Sequence, residues 1–153
     1  MLHIALWEPE IPPNTGNIAR LCAATGATLH LIGRLGFSLD DRHLLRAGLD
    51  YWSDVTLERH LTMLDFERVM GDRLHRLFCL SARATTPYTR VRFESGDILL
   101  FGTETRGLPP EILERYAERA LTIPMPAGKV RSLNLASAAG IVVYEALRQL
   151  HDW

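Results

Sequence analysis

The sequence predicts an α/β fold, a mostly parallel sheet with helices on both faces. Short apolar runs of strand length alternate with longer amphipathic runs along the whole chain. Strands that alternate with helices pair in parallel and are covered on both sides. At 153 residues the chain is long enough for one domain with a real core and too short for two of ordinary size, so residues 1–153 read as a single domain. No internal repeat, low-complexity tract or linker interrupts it.

The elements follow in order. Leu2 to Trp7 reads as a strand, Asn17 to Thr25 as a helix closed by Gly26, and Thr28 to Ile32 as a second strand. Asp40 or Asp41 caps a helix with Leu44, Leu45 and Ala47 on its inner side. Val55 to Leu57 is a weak strand, residues 60–70 a helix, and Arg76 to Ser81 a strand. Asp97 to Gly102 is a nearly continuous apolar strand. Pro109 and Pro110 open a helix through Ala117, since proline is tolerated in a first turn. Ala120 to Ile123 is the last strand. Ser132 or Asn134 caps a long final helix whose inner stripe includes Leu135, Ala136, Ala139, Val143, Ala146, Leu147 and Leu150.

Composition narrows the function. A hydrophobic fraction of 47% with 23% charged residues excludes disordered and coiled-coil classes. No run of eighteen apolar residues and no charged leader with a cleavage site is present, so the expectation is a cytoplasmic protein with no membrane contact. Cys22 and Cys79 are isolated and read as small core residues. The six histidines show no metal-ligand spacing along the chain, and no metal is expected. A net charge of −1 argues against a protein that coats DNA or RNA non-specifically. Sixteen arginines against one lysine, Lys129, leave room for local RNA recognition by planar guanidinium groups, although coding bias accounts for arginine equally well.

In such sheets ligands bind beyond the carboxyl ends of the strands. The loops there are PEIPPNTG, SARATTPYTR, GTETRGLPP and PMPAGKVRS, which hold most of the chain's unusual residues. In FGTETRGLP, Gly102 permits close backbone approach and Gly107 suits a positive φ. The loop is neither a GxGxxG fingerprint nor a phosphate loop, because Glu104 takes the place of the middle glycine. Glu104 could accept hydrogen bonds from ligand or loop amides, or lie in solvent. Ser132 and Asn134 could be competing caps or could present a helix N-terminus to a polar ligand. With no GxSxG elbow, hydrolase chemistry is unsupported.

Taken together, NTGNIAR after EPEIPPN, then FGTETRGLP, then IPM followed by RSLNLASAAGIVVYEALRQL, resemble the three successive motifs of the SPOUT methyltransferases. From Leu2 to about Leu150 the chain is most similar to the tRNA (cytidine or uridine 34) 2′-O-methyltransferases of the TrmL type. The resemblance implies a deep C-terminal trefoil knot, an exception to the rule that chains do not thread loops. It also implies a homodimer, S-adenosyl-L-methionine as methyl donor with S-adenosyl-L-homocysteine as product, and the tRNA anticodon loop as substrate. By motif, Leu80, Gly102, Glu104, Gly107, Ile123, Ser132 and Leu133 would bind the cofactor, and Arg20 and Asn134 would be catalytic. The loop between IPM and RS looks slightly long, which leaves open whether Lys129 or Arg131 faces the substrate.

The implied reaction is in-line attack of a ribose 2′-hydroxyl on a methyl sulfonium. Sulfonium is already a good leaving group, so the chemistry demands alignment and proton removal rather than a metal. A guanidinium is a poor proton acceptor. Arg20 is therefore expected to bind a phosphate and stabilise the developing alkoxide, although the family also offers it as the base. Tyr88, Arg83, Arg90 and Arg92 form a candidate RNA-contacting arm. Other readings are a SPOUT enzyme acting on another tRNA site or on rRNA, and a protein that binds adenosyl ligands without transfer.

Overall fold

The computed structural model describes the backbone of residues 1–153 and every side chain except that of Leu49. Seven strands form one all-parallel sheet: β1 (His3–Trp7), β2 (Thr28–Ile32), β3 (Leu57–His60), β4 (Leu77–Leu80), β5 (Thr86–Pro87), β6 (Ile98–Phe101) and β7 (Ala120–Thr122). Their spatial order is β3-β2-β1-β6-β4-β7-β5, so β1 pairs with both β2 and β6. The helices are α1 (Pro12–Thr25), α2 (Arg42–Gly48), α3 (Met63–Met70), α4 (Pro110–Arg115) and α5 (Leu135–His151).

Burial explains the central strands. All four residues of β4 and all four of β6 are buried, as expected of parallel strands covered on both faces. One face carries Ile4, Leu6, Leu29 and Leu31 against Ile18 and Cys22 of α1 and Ala139, Val142, Val143 and Ala146 of α5. The other carries Ala5, Ile32, Leu77 and Leu100 against Phe66 and Met70 of α3 and Ile112 of α4. Truncating a fully buried phenylalanine such as Phe66 to alanine costs about 3–5 kcal/mol. Beneath β6, the carboxylate of fully buried Asp97 takes two bonds from Arg76 (2.7 and 2.8 Å) and one from the Glu94 amide (2.7 Å). Those Asp97 bonds raise the Arg76 pKa above the usual guanidinium value.

Several elements differ from the sequence expectation. Helix α1 starts at Pro12, five residues before Asn17, with prolines at its first two positions. They belong to the helix because neither lacks a bond that a first turn would have made. Leu45 is exposed rather than inward, while buried Leu44 and Gly48 and partly buried Ala47 hold α2 in place, and Asp41 caps its start by accepting from the His43 and Leu44 amides. Strand β3 lies later than Val55, and β5, which pairs with β7, falls inside an expected loop. Gly26 closes α1 as expected, with φ 74° and its N–H donating to Cys22 O. Cys22 and Cys79 are both buried, which pushes each thiol up to about 12.

Candidate active site

The loops after β4, β6 and β7 meet the start of α1 at the carboxyl edge of the sheet, around a cavity of about 580 Å³. Leu80, Gly102, Glu104, Gly107, Ile123, Ser132 and Leu133 all line it, as does Asn134. Arg20 does not.

The β6 loop is a closed turn. Thr103 and Gly107 exchange backbone hydrogen bonds of 3.2 and 3.0 Å, and Gly107 has φ 71°. A Cβ at Gly102 would lie 2.1 Å from Gly107 C and 2.2 Å from Leu108 N, so only glycine lets the loop fold back on its strand. The chain can therefore present backbone rather than side chain to whatever fills the cavity.

Glu104 holds that loop to the start of α1. Its carboxylate accepts from Glu10 N (3.0 Å), Ile11 N (2.6 Å) and Asn14 Nδ2 (3.3 Å). Of the roles open from sequence, these bonds assign it the binding of loop amides. They supply the acceptor that Ile11, the uncapped N-cap of α1, lacks. Glu10 reciprocates by accepting from Thr105 Oγ1 (2.8 Å) and Thr105 N (3.2 Å). The Thr105 hydroxyl and amide hold the Glu10 carboxyl below the usual range. The result is a two-way clasp between segments more than ninety residues apart.

A third segment joins through Asn134, whose Nδ2 donates to Asn14 Oδ1 at 2.9 Å. Its Oδ1 accepts from Ser137 N at 3.1 Å, so Asn134, and not Ser132, caps α5. Asn134 is thereby oriented from both ends at the cavity rim. Asn14 is buried and also lines the cavity. Nothing local in the sequence marks it for this role, because its partners lie 90 and 120 positions away.

Arg20 lies on the exposed face of α1. Its guanidinium carbon sits 5.5 Å from the Tyr51 ring centroid, and among the described residues no hydrogen bond or ion pair engages the side chain. Among the described residues no hydrogen bond joins the two expected catalytic residues, and only Asn134 lines the cavity. Tyr51, in the 3₁₀ turn Leu49–Asp54, carried no sequence signal for this role. Arg131 lines the cavity and Lys129 does not. Arg83 lines it too, while Tyr88 is half-buried against the core and Arg90 and Arg92 are exposed.

Comparison with known proteins agrees with this geometry: the SpoU rRNA methylase family matches residues 1–144. The chain belongs to that family. A Yersinia pestis relative, a tRNA (cytidine(34)-2′-O)-methyltransferase, is 51% identical over 98% of this chain and 94% of its own length. A solved structure concerned with 2-OH methylation of C/U34 on tRNA superposes with a TM-score of 0.94 at 50% identity, covering 100% of this chain and 98% of that one. An AdoMet-bound rRNA methyltransferase from Sinorhizobium meliloti gives a TM-score of 0.85 at 31% identity, covering 97% of this chain and 56% of its own. The SpoU methylase assignment gives the clasped edge its context, a family of methyl-transfer enzymes.

Proposed function

We propose that this chain is a tRNA 2′-O-methyltransferase that uses S-adenosyl-L-methionine and acts on the ribose of nucleotide 34, cytidine or modified uridine, in the anticodon loop. The observation that carries the reading is a cavity built from the β4, β6 and β7 loops whose rim is joined through Asn134 and Asn14 to the helix bearing Arg20. The names of the 51%-identical relative and of the structure matching over the full chain support the substrate.

The residues present fit the cofactor. Leu80, Ile123 and Leu135 offer apolar walls for a flat purine, and Gly102 leaves backbone free to meet polar edges. Leu133, Ser132, Gly107 and Glu104 complete the wall, and Glu104 also fixes the loop. When bound, S-adenosylmethionine supplies an electrophilic methyl on a sulfonium and leaves as S-adenosylhomocysteine.

The chain's own residues align and stabilise. Asn134, held by Asn14 and Ser137, fixes the rim of the cavity where the ribose enters. Arg20 exchanges its contact with Tyr51 for the phosphate next to the target ribose, and its charge stabilises the 2′-oxygen as the proton leaves. Positioning of this kind contributes up to about 7–11 kcal/mol in favourable cases. A homodimer completes the reading, because Ile11 and Leu133 at the cavity and Ile141 and Tyr144 farther along α5 are exposed apolar residues, each at least 37% accessible. The family's trefoil knot would thread α5 through the preceding loops. The compartment is the cytoplasm, where the tRNA is.

Purified protein incubated with labelled S-adenosylmethionine and total tRNA, followed by mass-spectrometric mapping, should place the methyl on the ribose of nucleotide 34. Label in ribosomal RNA or at another tRNA position refutes the substrate, and cofactor binding without turnover refutes the enzyme. Arg20→Lys keeps charge but loses the planar fork, so wild-type activity in that variant would refute the phosphate-binding geometry.

A further inference from the structure

A second cluster lies on the α3-covered face of the sheet and shares no residue with the cavity. His3, His30, Glu58 and His60 run diagonally across β1, β2 and β3, placed by the registers that set Ala5 opposite His30 and His30 opposite Glu58. His30 and His60 are 1% and 5% exposed, and both lie edge-on to the Phe66 ring at 5.4 and 5.2 Å. His30 Nδ1 is 3.0 Å from His60 Nε2 and 3.5 Å from Glu58 Oε2, and the latter two atoms are 3.9 Å apart.

Two imidazole rings sharing one proton would account for the shortest separation, and a metal ion would account for the convergence of all three atoms. A point equidistant from three atoms so separated lies about 2 Å from each, within the zinc–nitrogen and zinc–oxygen range. We propose that His30 Nδ1, His60 Nε2 and Glu58 Oε2 form a divalent metal site of the zinc class. Two imidazoles with one carboxylate suit zinc better than the oxygen-seeking magnesium or calcium.

The surroundings match what a ligating histidine needs. A bound imidazole donates its other N–H to a neighbour that fixes the ring. His30 Nε2 faces His3 Nδ1 at 2.9 Å. With metal on His30 Nδ1, the proton sits on His30 Nε2 and His3 Nδ1 accepts it. His3 then carries its own proton on Nε2, and the exposed Arg73, 3.4 Å from that nitrogen, turns away. Glu58, with 43% of its side chain accessible, is the open side through which the ion enters and where water completes the coordination. The site ties β3, an edge strand, to β2. Its sequence signature is hidden because His30 and His60 come from separate strands.

The test is calorimetric titration of chelator-treated full-length protein with zinc, together with the visible spectrum of the cobalt-substituted form. One equivalent should bind, zinc should raise the melting temperature, and cobalt should show the intense bands of a low-coordinate site. His3→Leu should weaken binding by about 10–100-fold. Glu58→Gln should weaken it at least as much, and His151→Gln should leave it unchanged. Absence of saturable one-equivalent binding overturns the proposal, as does affinity unaltered by Glu58→Gln. Because Glu58 is half-exposed, that variant remains a folded test of the site even if substitutions at buried His60 prevent folding.

Discussion

Glu104→Gln separates a clasp residue from a ligand-binding one. The wild-type carboxylate serves three donors, with Oε1 taking Glu10 N and Oε2 taking both Ile11 N and Asn14 Nδ2. A glutamine has one acceptor oxygen, so turning it toward Ile11 and Asn14 sets its NH₂ against the Glu10 amide. One charge-assisted bond, worth about 1.5–3 kcal/mol, is lost and the others become neutral. Partial access of water to this edge offsets some of the loss, leaving about 2–3 kcal/mol. For a chain of this length that lowers the melting temperature by about 4–12 °C. Calorimetric melting and cofactor titration on the same preparation form the assay. Loosening of Ile11 and Asn14 should weaken cofactor binding only in step with the stability loss. A variant that melts within a degree of wild type yet binds the cofactor a hundredfold more weakly would refute the clasp and make Glu104 a direct ligand.

Gly102→Ala should destabilise by about 3 kcal/mol or more, read by urea denaturation, because the new Cβ meets backbone rather than a movable side chain. Tyr51→Phe should preserve the ring face under Arg20, whereas Tyr51→Leu should change the apparent affinity for tRNA about 2–5-fold, the equivalent of a cation–π contact of roughly 0.5–1 kcal/mol. Equal effects of the two substitutions would show the ring is not what positions Arg20. For Glu10, the folded pKa lies below the unfolded value, so its contribution to stability is complete above the unfolded pKa and is lost as pH falls through the folded one. Thr105→Val should move the Glu10 carboxyl resonance titration upward in an NMR pH series and shift the onset of acid destabilisation to higher pH.

What the sequence made legible was whatever is recorded locally. The buried strands, the Gly26 stop and the narrowing of the caps to Asp40 or Asp41 and to Ser132 or Asn134 follow from apolar runs and from side chains that bond within three residues. The cavity walls were legible through the resemblance, since the three motifs fall on the loops that converge. What was not legible depends on distant partners. Ser132 and Asn134 look alike as caps until Asn14 selects one. Pro12 and Pro13 read as loop until the Glu104 carboxylate supplies the acceptor for the helix start. His30, Glu58 and His60 become neighbours only through strand register.

The clasp also bears on how the protein is made. Glu104 bonds backward to residues 10 and 11, and Asn134 to Asn14, across 90 to 120 positions of chain. At ribosomal rates of about 5–20 residues per second, Asn14 is synthesised roughly 6–24 s before its partner at 134. During that interval α1 and Arg20 can fold against neighbouring segments, but the edge they will share does not yet exist. A nascent chain stalled before α5 therefore offers no assembled site to RNA, and activity appears only with a finished product.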